Sequence, residues 1–302
     1  MIDLQRLRIL RAVAEHGSFN RAAAQLLITP SAVSQQVAAL ERSLGTRVVE
    51  RSTRGVTLTQ PGRIMVEAAD AVTAELAHAR DQVERLTRHR PVLTVTTFTS
   101  GGRELLPGAL ARFTAVHPEV ELHVIENEPE RSLPLVREAR ADLALAYHFD
   151  DPPAALAGER SGLEWTPLMD DPMSLVVPEG HRLADRRTVG FAELATESWV
   201  LGCSKTEAYL RRYARQAGYE LRVRGSTTDY FFARSLVAAG MGISLVPSVS
   251  LTPPLDGTRV IRVEDPRPTR YIGVATARLR RPSEHVTAFL AALREQVGTR
   301  VP

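Results

Sequence analysis

Residues 22–37, AAAQLLITPSAVSQQV, read as helix-forming sequence broken once, at Ile28-Thr29-Pro30-Ser31. The break has the chemistry of a helix start. A threonine hydroxyl can accept an orphan N–H, and proline at the first helical position forfeits no hydrogen bond. From Pro30 onward Val33, Val37, Leu40 and Leu44 fall at i, i+4, i+7 and i+11, the apolar stripe of one helix. The opposite face carries Ser31, Ser34, Gln35, Ala38 and Arg42, hydrogen-bonding groups with little bulk. Upstream, Phe19, Ala22, Ala23, Leu26 and Leu27 form a short amphipathic helix, with Leu4, Leu7, Leu10 and Ala14 of a first helix beneath it. Three helices with a tight turn between the second and third make a helix-turn-helix, although a plain three-helix bundle would share the spacing.

Charge bears on that choice. The whole chain has a formal net charge of +3, but residues 1–63 hold nine Arg against four acids, a balance of +5, so everything downstream sums to −2. The positive end is suited to a polyanion. Arginine abundance is not itself evidence, because all basic residues except Lys205 are arginine.

Working outward, RSTRGVTLTQPG (residues 51–62) has the Gly, Thr and Val of a short basic hairpin. Residues 63–90 then run without Gly or Pro, with Met65, Ala69, Val72, Leu76, Ala79, Val83 and Leu86 alternating spacings of four and three. This heptad seam predicts a helix roughly 40 Å long at the α-helical rise. It is expected to be a dimerisation helix, with packing on its own domain as the alternative. After Pro91 the pattern changes to VLTVTTF, ELLPGALARFTAVHP, VELHVIE, LPLVREARA and DLALAYHF, strands alternating with helices. A second such series follows a joint at SGLEW, with strands MSLVVP, SWVLG and ISLVP. A Pro-rich joint, EDPRPTR, precedes the strand YIGVATA and a last helix, SEHVTAFLAALREQV. The alternation predicts parallel strands with crossover helices, in two α/β lobes joined by two crossings.

Ligands favour clefts between such lobes. The turn Phe98-Thr99-Ser100-Gly101-Gly102 opens a helix, where Ser100 caps the helix, binds an anion, or does both. Asn127 and Glu128 end a strand. Tyr147, His148 and Phe149 lie at the joint, Cys203, Ser204, Lys205 and Thr206 form a strand-to-helix turn, and Thr228 and Tyr230 begin another helix. Lys205 is either the partner of an acidic effector or a solvated side chain, and His148 either a ligand contact or joint packing. Cys203 is most simply an ordinary thiol, with redox sensing as the alternative.

The segment GSFNRAAAQLLITPSAVSQQVAALERSLGTRVVERSTRGVTLTQPG resembles the LysR-type transcriptional regulators. Later segments continue the resemblance: ELLPGALARFTAVHPEVEL, DLAL, EGHRLA, AGYELR and LVAAGMGISLVP. The chain departs from the family's usual residues at Val48-Val49, where a Leu-Phe pair is common, at Pro61, where Ala is common, and at Pro30-Ser31, where Gln-Pro is frequent. The resemblance implies an α winged helix-turn-helix plus long linker helix, followed by a two-lobed α/β periplasmic-binding-protein-like effector domain. The expected division is 1–60 for DNA binding, 61–90 for the linker and 91–302 for the effector domain, with lobe I at 91–161 and 267–302 and lobe II at 162–266.

The same resemblance implies double-stranded DNA, a small-molecule effector that an anion-binding turn would suit, and a homodimer that assembles into a tetramer. Thr29, Pro30, Ser31, Ser34, Gln35, Arg42, Arg51 and Arg54 become the expected DNA-binding residues. Gln35 is the base reader, because its amide can pair bidentately with adenine. Thr99, Ser100, Gly101, Asn127, Tyr147, His148, Cys203, Ser204, Lys205, Thr206, Thr228 and Tyr230 are the expected effector contacts.

Other classes find little support. There is no GxSxG elbow, P-loop or HExxH, and Gly240-Met241-Gly242 is a poor substitute for a dinucleotide fingerprint. No cofactor or metal is expected, and no enzymatic activity. A transport solute-binding protein would share the two lobes but not residues 1–90. The N-terminal stretch has no signal-peptide pattern, and no run approaches a membrane span, so a cytoplasmic location is expected.

Overall fold

The structure is a computed structural model that describes residues 2–52, 55–87, 90–149, 162–264, 267–278 and 282–299. Three helices open the chain: α1 (Leu4–His16), α2 (Phe19–Leu26) and α3 (Pro30–Leu44). The Asp3 carboxylate caps α1 by accepting from the Arg6 N–H, and Gly17 ends it in the left-handed region. α2 stops at Leu26 because Leu27 takes a left-handed conformation, φ 56°, and its N–H reaches back to Ala23 and Ala24. Thr29 caps α3, accepting the Ala32 N–H at 3.2 Å, with Pro30 as first residue. The break therefore spans Leu27 to Thr29, starting one residue earlier than the sequence spacing indicates. Val33, Val37 and Leu40 are fully buried against Leu10, Val13, Ala22 and Ala23, each burial contributing about 1.5–3 kcal/mol.

The hairpin of β1 (Val49–Ser52) and β2 (Gly55–Leu58) follows. Val48 and Val49 are buried in the same core, so the Val pair fills the place with less volume. The Glu41 carboxylate accepts the Val48 N–H at 2.9 Å and fixes the hairpin to α3. The Thr59 hydroxyl accepts the Gly62 N–H, and α4 (Gln60–Thr87) leaves the domain. A Cβ on Gly62 would sit 2.0 Å from the Val48 carbonyl oxygen, so this close crossing admits only glycine. Along α4, Met65 and Ala69 pack on the domain's own core, which corrects the expectation that they face a partner. Val72, Leu76 and Val83 are exposed, as is Ala79; the Leu86 side chain lies outside the described residues.

The first lobe is built from β3 (Val92–Thr97), α5 (Thr99–Glu104), α6 (Leu106–Val116), β4 (Glu121–Glu126), α7 (Pro129–Arg137) and β5 (Leu143–Phe149). β3 pairs in parallel with both β4 and β5. The chain then enters β6 (Leu163–Pro178), a 16-residue strand that runs through both lobes. The second lobe holds β7 (Thr188–Val189), β8 (Ser198–Leu201), α8 (Ser204–Gln216), β9 (Arg222–Ser226), α9 (Tyr230–Ala238), β10 (Ser244–Pro247) and β11 (Thr258–Val263). β12 (Thr269–Ala277) returns to the first lobe and α10 (Glu284–Gly298) packs on α6.

Two expectations change here. The sheet is mixed rather than parallel, because β12 inserts antiparallel between β5 and β6, and β10 and β11 both run antiparallel to β6. The crossing between lobes falls near Pro172 rather than at 161/162: residues 163–172 of β6 pair with β12, and only 173–178 pair with β10 and β11. Separate cores lie on either side, one around Phe98, Phe113 and Phe289 and the other around Trp199, Tyr213 and Leu245. Phe149 packs against both. Among the described residues no helix is long and apolar enough to cross a membrane.

Candidate functional site

On α3, Ser31, Gln35 and Arg42 are exposed on the face opposite the buried valines. Thr29 and Ser31 share a hydroxyl hydrogen bond of 3.0 Å, which orders the first turn. Arg51 of β1 does not extend freely: its Nη2 donates to Ser34 at 3.1 Å and its guanidinium lies 4.3 Å from the Phe19 ring centroid. Ser34 and Arg51 thus form one polar unit joining the hairpin to the helix. Arg54 lies outside the described residues.

The interlobe cleft is lined by Phe98, Thr99, Ser100, Glu128, Tyr147 and Arg270 with Cys203, Thr228, Asp229 and Tyr230. Its floor is a buried ion pair. Arg270 Nε donates to Asp171 at 2.5 Å and Nη2 to the Ser100 hydroxyl at 2.8 Å, with both charged side chains essentially inaccessible. The guanidinium lies 4.8 to 5.6 Å from the ring centroids of Tyr147, Phe98 and Tyr230, within cation–π range. Burial alone would lower the Arg270 pKa, but Asp171, Tyr230 and Tyr147 outweigh it and raise it, so the cation persists. Burial pushes the Tyr147 and Tyr230 phenols well above their ordinary value, with the nearby Cys203 adding to it, so both remain neutral donors.

Tyr147 donates to Glu128 at 2.8 Å and lies 3.6 Å from the Cys203 sulfur. Lys205 reaches across from α8 to Glu128 at 2.9 Å, and it also pairs with Glu130. This lysine already has two carboxylate partners within the protein and is not simply a solvated side chain. Gly202 makes room for the cleft wall: a Cβ there would lie 2.2 Å from a Tyr230 ring carbon.

Of the expected contacts, Thr99, Ser100, Tyr147, Cys203, Thr228 and Tyr230 come together in the cleft. His148 does not. Adjacent residues of a strand face opposite sides, so it stacks on Tyr271 and meets Trp165 edge to face behind the sheet. Thr206 is buried beneath, bonded to the Tyr230 hydroxyl at 2.7 Å. Gly101 packs against Phe98 and Leu145, and Asn127 bonds through its backbone to Thr97 and Ser132. The Ser204 side chain lies outside the described residues. Sequence reading missed Arg270 and Asp229. Asp229 caps α9 through the Phe231 N–H, a signal visible as Asp before an apolar helical run.

Helix α7 connects this cleft to the first domain. Its N-cap is Glu128, and at its other end Glu138 accepts from Arg11 of α1 at 2.9 Å. Asp70 of α4 lies between Arg11 (3.2 Å) and Arg137 (3.6 Å). Burial raises the Asp70 pKa, partly offset by Arg11 and Arg137.

Comparison with known proteins matches both parts. The sequence model of the "LysR substrate binding domain" matches residues 87–298, and that of the "bacterial regulatory helix-turn-helix protein, lysR family" matches residues 4–63. A probable hydrogen peroxide-inducible genes activator of Mycobacterium avium is 33% identical over 284 residues, 89% of this chain and 86% of the relative. The DNA-binding transcriptional dual regulator OxyR of Escherichia coli K12 is 27% identical over 308 residues, 99% of this chain and 96% of the relative. Among solved structures, HinK, a LysR family regulator from Pseudomonas aeruginosa, superposes with a TM-score of 0.61 at 23% identity, each chain covered completely. With an exposed polar helix face at one end, a cleft between two lobes at the other and both family models matched in order, the chain belongs to the LysR family: it is a DNA-binding transcriptional regulator, not an enzyme.

Proposed function

We propose that the interlobe cleft is the effector site of this regulator and that α7 carries its state to the DNA-binding domain. The observation that supports this most is the run of contacts along one helix, from Tyr147 and Lys205 on Glu128 to Arg11 on Glu138. An effector acts only through different affinity for two arrangements, and closure of the lobes on Lys205 would move the α7 N-terminus. Both cations at the cleft, Arg270 and Lys205, already have acidic partners. A small, hydrogen-bonding, uncharged effector therefore fits better than the anion that the sequence suggests.

On the DNA side, Gln35 reads base edges in the major groove, Ser31 and Arg42 contact phosphates, and the Ser34–Arg51 unit sits at the backbone, with Thr29 and Pro30 shaping the helix start. Val72, Leu76, Ala79 and Val83 form the dimer seam, and dimers pair into tetramers in the cytoplasm. The division into DNA-binding, linker and effector regions, with the lobe crossing near Pro172, is part of this reading. In a salt-titrated mobility-shift assay Gln35→Ala changes sequence preference. Arg42→Ala weakens all sequences and reduces the salt slope by about one. Unchanged binding by both variants contradicts the assignment.

A second reading concerns the effector itself. The Mycobacterium avium relative is named for hydrogen peroxide, and Cys203 lines the cleft beside the Tyr147 hydroxyl. In this reading the Cys203 sulfur attacks one peroxide oxygen. The S–O bond forms, the O–O bond breaks, and the departing hydroxide takes the thiol proton, leaving a sulfenic acid and water. Cys203 is the chain's single cysteine, so no internal disulfide can follow. Peroxide treatment then adds one oxygen to the Cys203 peptide and alters the DNA footprint, and Cys203→Ser abolishes both. An unmodified peptide rejects peroxide while leaving the cleft assignment standing.

A further inference from the structure

We propose that His117, Glu119 and His285 form a binding site for a divalent transition-metal ion of the zinc type, joining α6 to α10 in the first lobe. One potential ligand atom from each of the three side chains lies within 4.8 Å of the other two. None of the three lines the cleft or lies on the DNA-reading face.

The backbone holds two of the ligands on a rigid frame. His117 terminates α6, its N–H bonded to the Phe113 carbonyl, and the Val120 N–H closes the following turn onto the His117 carbonyl. That turn brings Glu119 back beside the ring, with His117 Nδ1 3.3 Å from the carboxylate. His285 is the second residue of α10, whose start is fixed by the Ser283 cap. Phe113 and Phe289 lock the two helices together with ring centroids 5.5 Å apart, and the His117 and His285 rings meet edge to face at the same separation.

Ring packing accounts for where the imidazoles sit but not for their nitrogens. Among the described residues His285 Nδ1 is buried with no hydrogen-bond partner, and its Nε2 lies 3.8 Å from the Glu284 carboxylate, beyond hydrogen-bond range. A buried imidazole nitrogen without a partner is costly, and a metal bond to that nitrogen would offset the cost. The Glu119 carboxylate is exposed enough to swing. A tetrahedral zinc ion needs its ligand atoms roughly 3.3 Å apart, so rotation of Glu119 and small ring movements complete the geometry. Two imidazoles and a carboxylate with no thiolate favour zinc over softer ions, and three protein ligands leave a fourth position for water.

The test uses the full chain, stripped with a chelator and titrated with zinc chloride against a chromogenic zinc indicator. The expected result is one zinc per chain, with affinity reduced at least about tenfold in His117→Ala and in His285→Gln and unchanged in His123→Ala. Zinc is also expected to raise the melting temperature of the unmodified chain and not that of the two site variants. Reading both His117→Ala and His285→Gln keeps the test decisive if one of them folds poorly. Failure of the unmodified chain to take up stoichiometric zinc, or full affinity in a folded site variant, overturns the proposal.

Discussion

Arg11 on the first helix donates from Nη2 to Glu138 at 2.9 Å, so the DNA-binding domain is fastened to the C-terminal end of α7. Both side chains are about one-quarter exposed, and Arg11 also contacts Asp70. Partly exposed pairs of this kind contribute about 0.5–1 kcal/mol each. Arg11→Ala and Glu138→Gln are therefore expected to leave the fold intact, with a coupling energy of that size in a double-mutant cycle of urea melts.

The ion pair on the cleft floor behaves differently because it is wholly buried. Asp171→Ala leaves the Arg270 guanidinium without its counter-charge and also removes the acceptor for the Val249 N–H. A loss of about 3–5 kcal/mol is expected in denaturant unfolding. Combining it with Arg270→Met is expected to restore part of that stability. A double variant no more stable than Asp171→Ala would show that the charge is not the cause.

Arg270 also shows where the sequence stops being legible. Its partner lies 99 residues away and no local pattern joins them; in the sequence it is one polar residue entering an apolar strand. The recognition helix, by contrast, was readable because cap, proline and apolar stripe are all local to residues 29–44. His148 was assigned to the cleft through its neighbour Tyr147, although strand alternation separates them. The sequence places a joint at SGLEW and a strand only from Met173, because Thr166, Asp170, Asp171 and two prolines interrupt the apolar run that marks a strand. Their backbone is nevertheless held by pairing with β12.

Alkaline stability follows from the buried phenols. Burial raises the pKa of Tyr147 and Tyr230, and pushes that of Tyr219 up to about 12. A phenol raised in the folded state is neutral in both states below the ordinary value of about 10. Its contribution to stability is complete there and is lost as pH rises through the folded value. Melting temperature is expected to fall from about pH 10 upward, with phenolate absorbance appearing together with unfolding. Full titration of the six tyrosines in a still-folded chain would contradict this.

Leu27 is left-handed and 92% exposed, so its side chain contributes strain without packing. Leu27→Gly is expected to stabilise the N-terminal domain by up to about 1 kcal/mol in thermal melts. A destabilisation of that size would mean that the turn is held by the side chain.

Among the described residues of α4 beyond the N-terminal core, Val72, Leu76, Ala79 and Val83 are exposed apolar positions. Leu76→Glu is expected to shift the sedimentation profile toward monomer while leaving the secondary structure of the isolated chain unchanged. An unaltered oligomeric state would place the dimer contact elsewhere.

The central claim is that the cleft reaches the DNA-binding domain through α7. The most direct measurement is a double-mutant cycle on DNA affinity, using a duplex selected from a random pool with the unmodified chain. Lys205→Glu breaks the clasp on Glu128 and Glu130 at one end of α7, and Arg11→Ala releases the other end. The account predicts that Lys205→Glu changes DNA affinity in the unmodified background and not in the Arg11→Ala background. An equal change in both backgrounds would contradict it.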